Sequence, residues 1–124
     1  MPFDWNDYYL LAERLKQGDE EASRRSAISR AYYSVYRQAR NYLVICGVNI
    51  PETGSVHKFV WNHYRSAGGK TFSAIGINGD RLHRNRTRAD YDNEVESLNE
   101  SVGESFRYAT NVLFYLKQLR RKTN

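Results

Sequence analysis

The sequence predicts an all-α fold, an up-and-down bundle of four to five helices in a single domain, and three observations carry that expectation. Only two prolines occur in 124 residues, Pro2 and Pro51. Six of the glycines gather at Gly47, Gly54, Gly68, Gly69, Gly76 and Gly79, leaving long stretches that nothing interrupts. Within those stretches apolar residues return every three or four positions, the period of an amphipathic helix. A chain of this length buries about one modest core, so residues 1–124 read as one domain with breaks near 17–19, 47–55 and 67–79.

The first helix runs from about Asp4 to Lys16. The second lies between the first two breaks, where Ile28, Ala31, Tyr32, Val35, Ala39, Tyr42, Leu43 and Cys46 form a continuous apolar stripe. Its opposite stripe, Ser23, Ser26, Arg30, Tyr33, Arg37 and Arg40, is polar and reads as solvent-facing. A third helix opens at Ser55, an N-cap residue type, and passes Trp61 to about Ser66. Residues 67–79 read as a flexible connector. A last long helix is expected from Asn93 to about Arg120, its seam formed by Val95, Leu98, Val102, Ala109, Val112, Leu116 and Leu119 and broken by polar Ser105. The leftover aromatics Phe106, Phe114 and Tyr115 would let that seam serve a dimer as well as the core.

Composition narrows the function classes. Nineteen Lys and Arg against fourteen Asp and Glu give a formal charge of +5, set among ten tyrosines, five phenylalanines and two tryptophans. That mixture suits a polyanionic partner, although a charged helix face is also the ordinary means of staying soluble. A lone Cys46 rules out an intrachain disulfide and any multi-cysteine metal site, and fits a reducing cytosol. There is no export-type leader pattern and no run of about eighteen apolar residues, so a cytoplasmic protein without a membrane partner is expected. Gly69-Lys70-Thr71 resembles the end of a phosphate-binding loop, but the glycine such a loop needs at position 64 is Tyr64, so the spacing excludes one. His57, His63 and His83 form no zinc signature, and each reads as a packed or surface histidine, so neither a metal nor a cofactor is expected.

The densest cationic segment is Arg81-Leu82-His83-Arg84-Asn85-Arg86-Thr87-Arg88, followed by Ala89-Asp90-Tyr91-Asp92. On a helix, Arg81, Arg84 and Arg88 would share one face and His83, Arg86 and Asp90 another. A carboxylate at Asp90 would then fix the Arg86 guanidinium, and a guanidinium matches a phosphate with two parallel hydrogen bonds. The residues are equally compatible with plain ion pairing of Asp90 and Asp92 to the arginines.

The order of these features resembles a family. Arg25-Ser26-Ala27-Ile28-Ser29-Arg30-Ala31-Tyr32-Tyr33-Ser34-Val35-Tyr36 is similar to the helix signature of HEPN domains. His57-Lys58 falls where many members open a helix with such a pair, and Arg86-Thr87-Arg88-Ala89-Asp90-Tyr91-Asp92 resembles an Arg-x-x-Ala-Asp-Tyr-Asp variant of the family's active-site region. The resemblance spans about 20 to 120. It implies a homodimer whose arginine motifs face a shared cleft, and in many members a metal-independent ribonuclease of toxin-antitoxin or antiphage defence systems. In active members an arginine steadies the scissile phosphate, and a histidine a few residues later, with a polar residue following the arginine, orients or deprotonates the ribose 2′-hydroxyl.

The sequence departs from that pattern where the histidine is expected, because counting from Arg86 that position is Tyr91. An unperturbed phenol is a poor base at neutral pH. The resemblance therefore implies contact with RNA or a nucleotide, with cleavage weak or lost. Arg86 (or Arg84), Tyr91, Asp90 and Asn85 are the expected catalytic set; Arg81, His83, Arg84, Arg88, Arg30 and Arg37 are the expected nucleic-acid contacts. An antitoxin or a nucleotidyltransferase is the kind of protein partner implied. The alternative is a helical scaffold or regulatory partner that acts through protein contacts alone.

Overall fold

A computed structural model describes residues 2–123, without the Thr123 side chain. Among the described residues the chain forms five helices and no strand: α1 (Asn6–Leu15), α2 (Glu21–Ile45), α3 (Val56–Ser66), α4 (Lys70–Tyr91) and α5 (Leu98–Thr123). Helix α2 is the hub and touches each of the other four. Its stripe behaves as its spacing predicts, with Ile28, Ala31, Tyr32, Val35, Ala39 and Leu43 at most 1% exposed. Each large apolar side chain so buried contributes roughly 1.5–3 kcal/mol. Cys46 is the exception. It sits at the C-cap of α2 and is exposed, because the helix ends there and Gly47 follows at φ 87°.

Two boundaries differ from the sequence-based expectation. The flexible connector shrinks to a short link, since Gly68 and Gly69, at φ 88° and 87°, make the break and α4 starts at Lys70. Gly76 and Gly79 lie inside the helix and are buried. Glycine costs about 1 kcal/mol in a helix interior, but here it permits close approach. A Cβ on Gly76 would lie 2.8 Å from the Trp61 carbonyl oxygen, and one on Gly79 would lie 2.2 Å from Cε3 of the Trp61 ring. These positions seat α4 on α3.

The last helix begins at Leu98, not Asn93, so Val95 precedes it. Arg25 of α2 holds the link in a non-helical path by donating to the carbonyls of Ala89, Asp92 and Asn93. The remainder of the α5 seam is core, with Val102, Ala109, Val112, Leu116 and Leu119 buried. Ser105, the polar break in that seam, is fully buried and accepts from Asn85 of α4 at 3.1 Å. Ser55 occupies the N-cap of α3 but makes no side-chain capping bond. Among the described residues no helix is long and apolar enough to cross a membrane.

Candidate functional site: a histidine pair beside a braced arginine

Helix periodicity divides α4 into three faces. Leu82, Asn85 and Ala89 turn into the core; Arg81, Arg84 and Arg88 point outward; His83 and Arg86 face α2 and the start of α3. From α2, residues three and four apart bring Ser29, Tyr32, Tyr33 and Tyr36 to that same place. His57 enters from the first turn of α3.

Arg86 is the centre of the cluster. Its Nε donates to Asp90 Oδ2 at 2.9 Å and its Nη2 to the Tyr33 hydroxyl at 2.6 Å. Asp90 Oδ2 accepts a second bond, from Ser29 Oγ at 3.2 Å. The guanidinium carbon lies 4.9 Å from the Tyr33 ring centre, 5.6 Å from Tyr91 and 5.8 Å from Tyr32, within cation–π range of all three. Its side chain is only 12% exposed. A charge this shielded interacts with an arriving anion more strongly than a solvated one.

Beside it the imidazoles of His57 and His83 lie parallel, their centres 5.3 Å apart. His57 also stacks on Tyr36 at 4.0 Å, and His83 on Tyr32 at 5.2 Å. Burial lowers the His57 pKa to about 4, helped by His83 and Arg86. Burial also lowers that of His83, with Arg86 and Lys58 adding to the effect and Asp80 opposing it. Both rings are therefore neutral near pH 7.

The tautomer of His57 follows from its neighbours. The Trp61 Nε1–H can only donate, and it donates to the Tyr32 hydroxyl oxygen at 3.1 Å. The Tyr32 O–H is left to donate to His57 Nδ1, 2.6 Å away. Burial raises the Tyr32 pKa far above its ordinary value, so this phenol keeps its proton. His57 accordingly carries its own proton on Nε2 and is a neutral donor there.

Two open clefts flank the pair. On the His57 side, a cleft of about 620 Å³ is lined by Trp5, Tyr33, Tyr36, Arg37, Arg40 and Glu52 among others. On the His83 side, one of about 490 Å³ is lined by Lys58, Asp80, Arg84, Thr87 and Arg88. Among the described residues no three His, Cys, Asp or Glu side chains converge as a metal-ligand set.

The structure thus brings His83, Arg86 and Asp90 together, as their helical spacing predicts. It places the other candidates elsewhere. Tyr91 is 70% exposed at the rim, touching the cluster through its ring's proximity to Arg86. Asn85 turns away from the cluster: it is buried, donates to Ser105 and accepts from Arg88 at 3.1 Å. Arg84 pairs with Asp80 at 2.8 Å, and Arg81 approaches the Tyr108 ring at 6.0 Å. Arg30 and Arg37, expected on a solvated stripe, are partly covered by the N-terminal segment and lie over Tyr8 at 4.9 Å and Trp5 at 4.6 Å.

His57, Tyr33 and Ser29 are the members that reading the residues alone missed. By its spacing alone His57 is a packed or surface histidine. The placement of His57-Lys58 in the family resemblance was the available signal for it, and the four-residue spacing of Ser29 and Tyr33 was the signal for the bracing pair. Compared with known proteins, the chain matches no family model, no curated protein sequence and no solved structure.

Proposed function

We propose that this chain is a HEPN-like RNA-binding protein that seats a phosphodiester against Arg86, with metal-independent cleavage slow or lost. The observation that carries the reading is the Arg86 guanidinium, braced by Asp90 and Tyr33 and flanked by two neutral imidazoles. A braced guanidinium reorganises little when it meets an anion, and its charge remains at any cellular pH. In this reading His57 offers its Nε2–H to a phosphate oxygen, and neutral His83 accepts the ribose 2′-hydroxyl proton. Attack of that oxygen on phosphorus breaks the bond to the 5′-oxygen and leaves a 2′,3′-cyclic phosphate. The proton ends on His83, and the departing oxygen takes one from water. Tyr91, where the resemblance expects a histidine, is a rim residue that shields the guanidinium.

The setting proposed with this chemistry is a toxin or antiphage-defence component acting as a homodimer, restrained by an antitoxin or a nucleotidyltransferase. The test is incubation of the purified protein with tRNA and total RNA in EDTA, beside Arg86→Ala, His83→Ala and Tyr91→Phe. Cyclic-phosphate ends that vanish with Arg86→Ala and His83→Ala but persist with Tyr91→Phe support the nuclease arm. Retained binding without products leaves RNA recognition alone. Loss of neither binding nor products in Arg86→Ala sinks the site.

A second reading, a regulatory helical partner, rests on Val44 and Ile45, which leave 48% and 80% of their surface exposed at the end of α2. Contiguous apolar residues in that position suit a protein contact.

A further inference from the structure

The cleft on the His57 side has features that phosphate chemistry at Arg86 does not use. At about 620 Å³ it is roomy enough for a base with its ribose. Aromatic rings line it: Trp5, held edge-on by Phe3 at 4.9 Å and Tyr8 at 5.4 Å, and Tyr33, with the buried ring of Tyr36 stacked on His57 at 4.0 Å beneath them. Two arginines stand in the same wall. Arg37 lies over the Trp5 ring at 4.6 Å, and among the described residues neither Arg37 nor Arg40 forms an ion pair. The Arg37 Nε is moreover shielded from solvent with no hydrogen-bond partner among those residues. Glu52 is the single acid in the lining, so the cleft keeps a positive excess.

Aromatic rings set among cations that have no carboxylate partner are the chemistry of single-stranded nucleic acid. A base stacks on a ring whatever its identity, and the neighbouring phosphate meets the cation. A duplex turns its base faces inward and offers nothing to stack. We infer that this cleft is a base-binding subsite: it takes one unpaired base of a single-stranded RNA whose adjoining phosphodiester lies on Arg86. The strand then continues past His83 toward Lys58 and Arg88. The inference rests on the reading of Arg86 given above and adds to it the strand form of the substrate and the residues that hold its neighbouring nucleotide.

Tryptophan emission isolates the cleft. The chain has two tryptophans, and Trp61 is wholly buried, so a change on titration with unlabelled RNA reports Trp5. The full-length protein is titrated with a single-stranded RNA of about eight nucleotides, within the span such sites cover, and with the same sequence as a duplex. End-labelled RNA gives affinity by anisotropy in parallel. The single strand is expected to quench emission, with the change absent in Trp5→Phe, and to bind Arg40→Gln about tenfold more weakly, within the range of one base-stacking subsite. The duplex is expected to bind more weakly without quenching. Binding that Arg86→Ala weakens, while Trp5 emission stays constant and Arg40→Gln retains full affinity, overturns the subsite and leaves the RNA reading standing. No binding of either RNA overturns both.

Discussion

The imidazole of His57 lies parallel to that of His83, 5.3 Å between centres and 9° between planes, although the two come from different helices. Two imidazolium ions at that separation, with Arg86 beside them, would repel one another, and burial removes the water that would screen the repulsion. The pair is therefore held neutral, and Arg86 supplies the fixed positive charge of the cluster. Asp90 and Tyr33 orient that charge, while Tyr32 fixes which nitrogen of His57 carries the proton.

The histidine pair makes stability fall on acidification. The His57 pKa is about 4 in the fold against 6.5 for the free side chain, and that of His83 is also lowered. Between those values the unfolded chain binds more protons than the folded one. The stabilisation is thus fully present above pH 6.5 and is lost as pH falls toward 4. Melting temperature measured across that window should fall steeply in the wild type and less steeply in His57→Asn.

Arg86→Lys separates charge from geometry. An ammonium keeps the positive charge but cannot bond Asp90, Tyr33 and a phosphate as a planar fork does. RNA affinity by anisotropy should fall on the order of tenfold, the loss of one charge-assisted hydrogen bond. Unchanged affinity would show that Arg86 acts as a point charge and that its bracing is incidental.

Gly79→Ala addresses the seat of α4 on α3. The added methyl would meet Trp61 Cε3 at 2.2 Å, and that ring is wholly buried. Overpacking of this kind costs about 1–3 kcal/mol. Urea denaturation should report a loss of at least that size, and RNA affinity should drop as well, because α3 carries His57.

Asn85→Ala distinguishes framework from site. Removing the amide leaves the buried Ser105 hydroxyl without its donor, a loss of about 1–3 kcal/mol. Stability should fall by that amount while RNA affinity stays within roughly twofold, since Asn85 is buried against α5 on the face of α4 away from Arg86. A large affinity loss at unchanged stability would return Asn85 to the site.

Helix identity was legible wherever one face carries a long apolar run, as the residues from Ile28 to Leu43 show. Boundaries were less so. Gly76 and Gly79 look like breakers, yet what decides them is a ring on another helix, and no local pattern reveals Trp61 lying against them. The helical start expected at Asn93 fails for a similar reason, since Arg25, far away in sequence, bonds the carbonyls of that link. At the site, Arg86 with Asp90 follows from one helical turn and was readable. The meeting of His57 with His83 depends on how α3 lies against α2 and α4, a tertiary fact that composition and periodicity do not encode.

The most direct measurement is the affinity of a short single-stranded RNA across a series of salt concentrations, for the wild type and Arg86→Ala. On a single strand each phosphate contact contributes about 0.7 to the slope of log affinity against log salt. The wild type should bind measurably at low salt, and Arg86→Ala should bind more weakly with a slope reduced by about 0.7. The same affinity and slope for both proteins, or no binding by either, would contradict the proposed RNA site at Arg86.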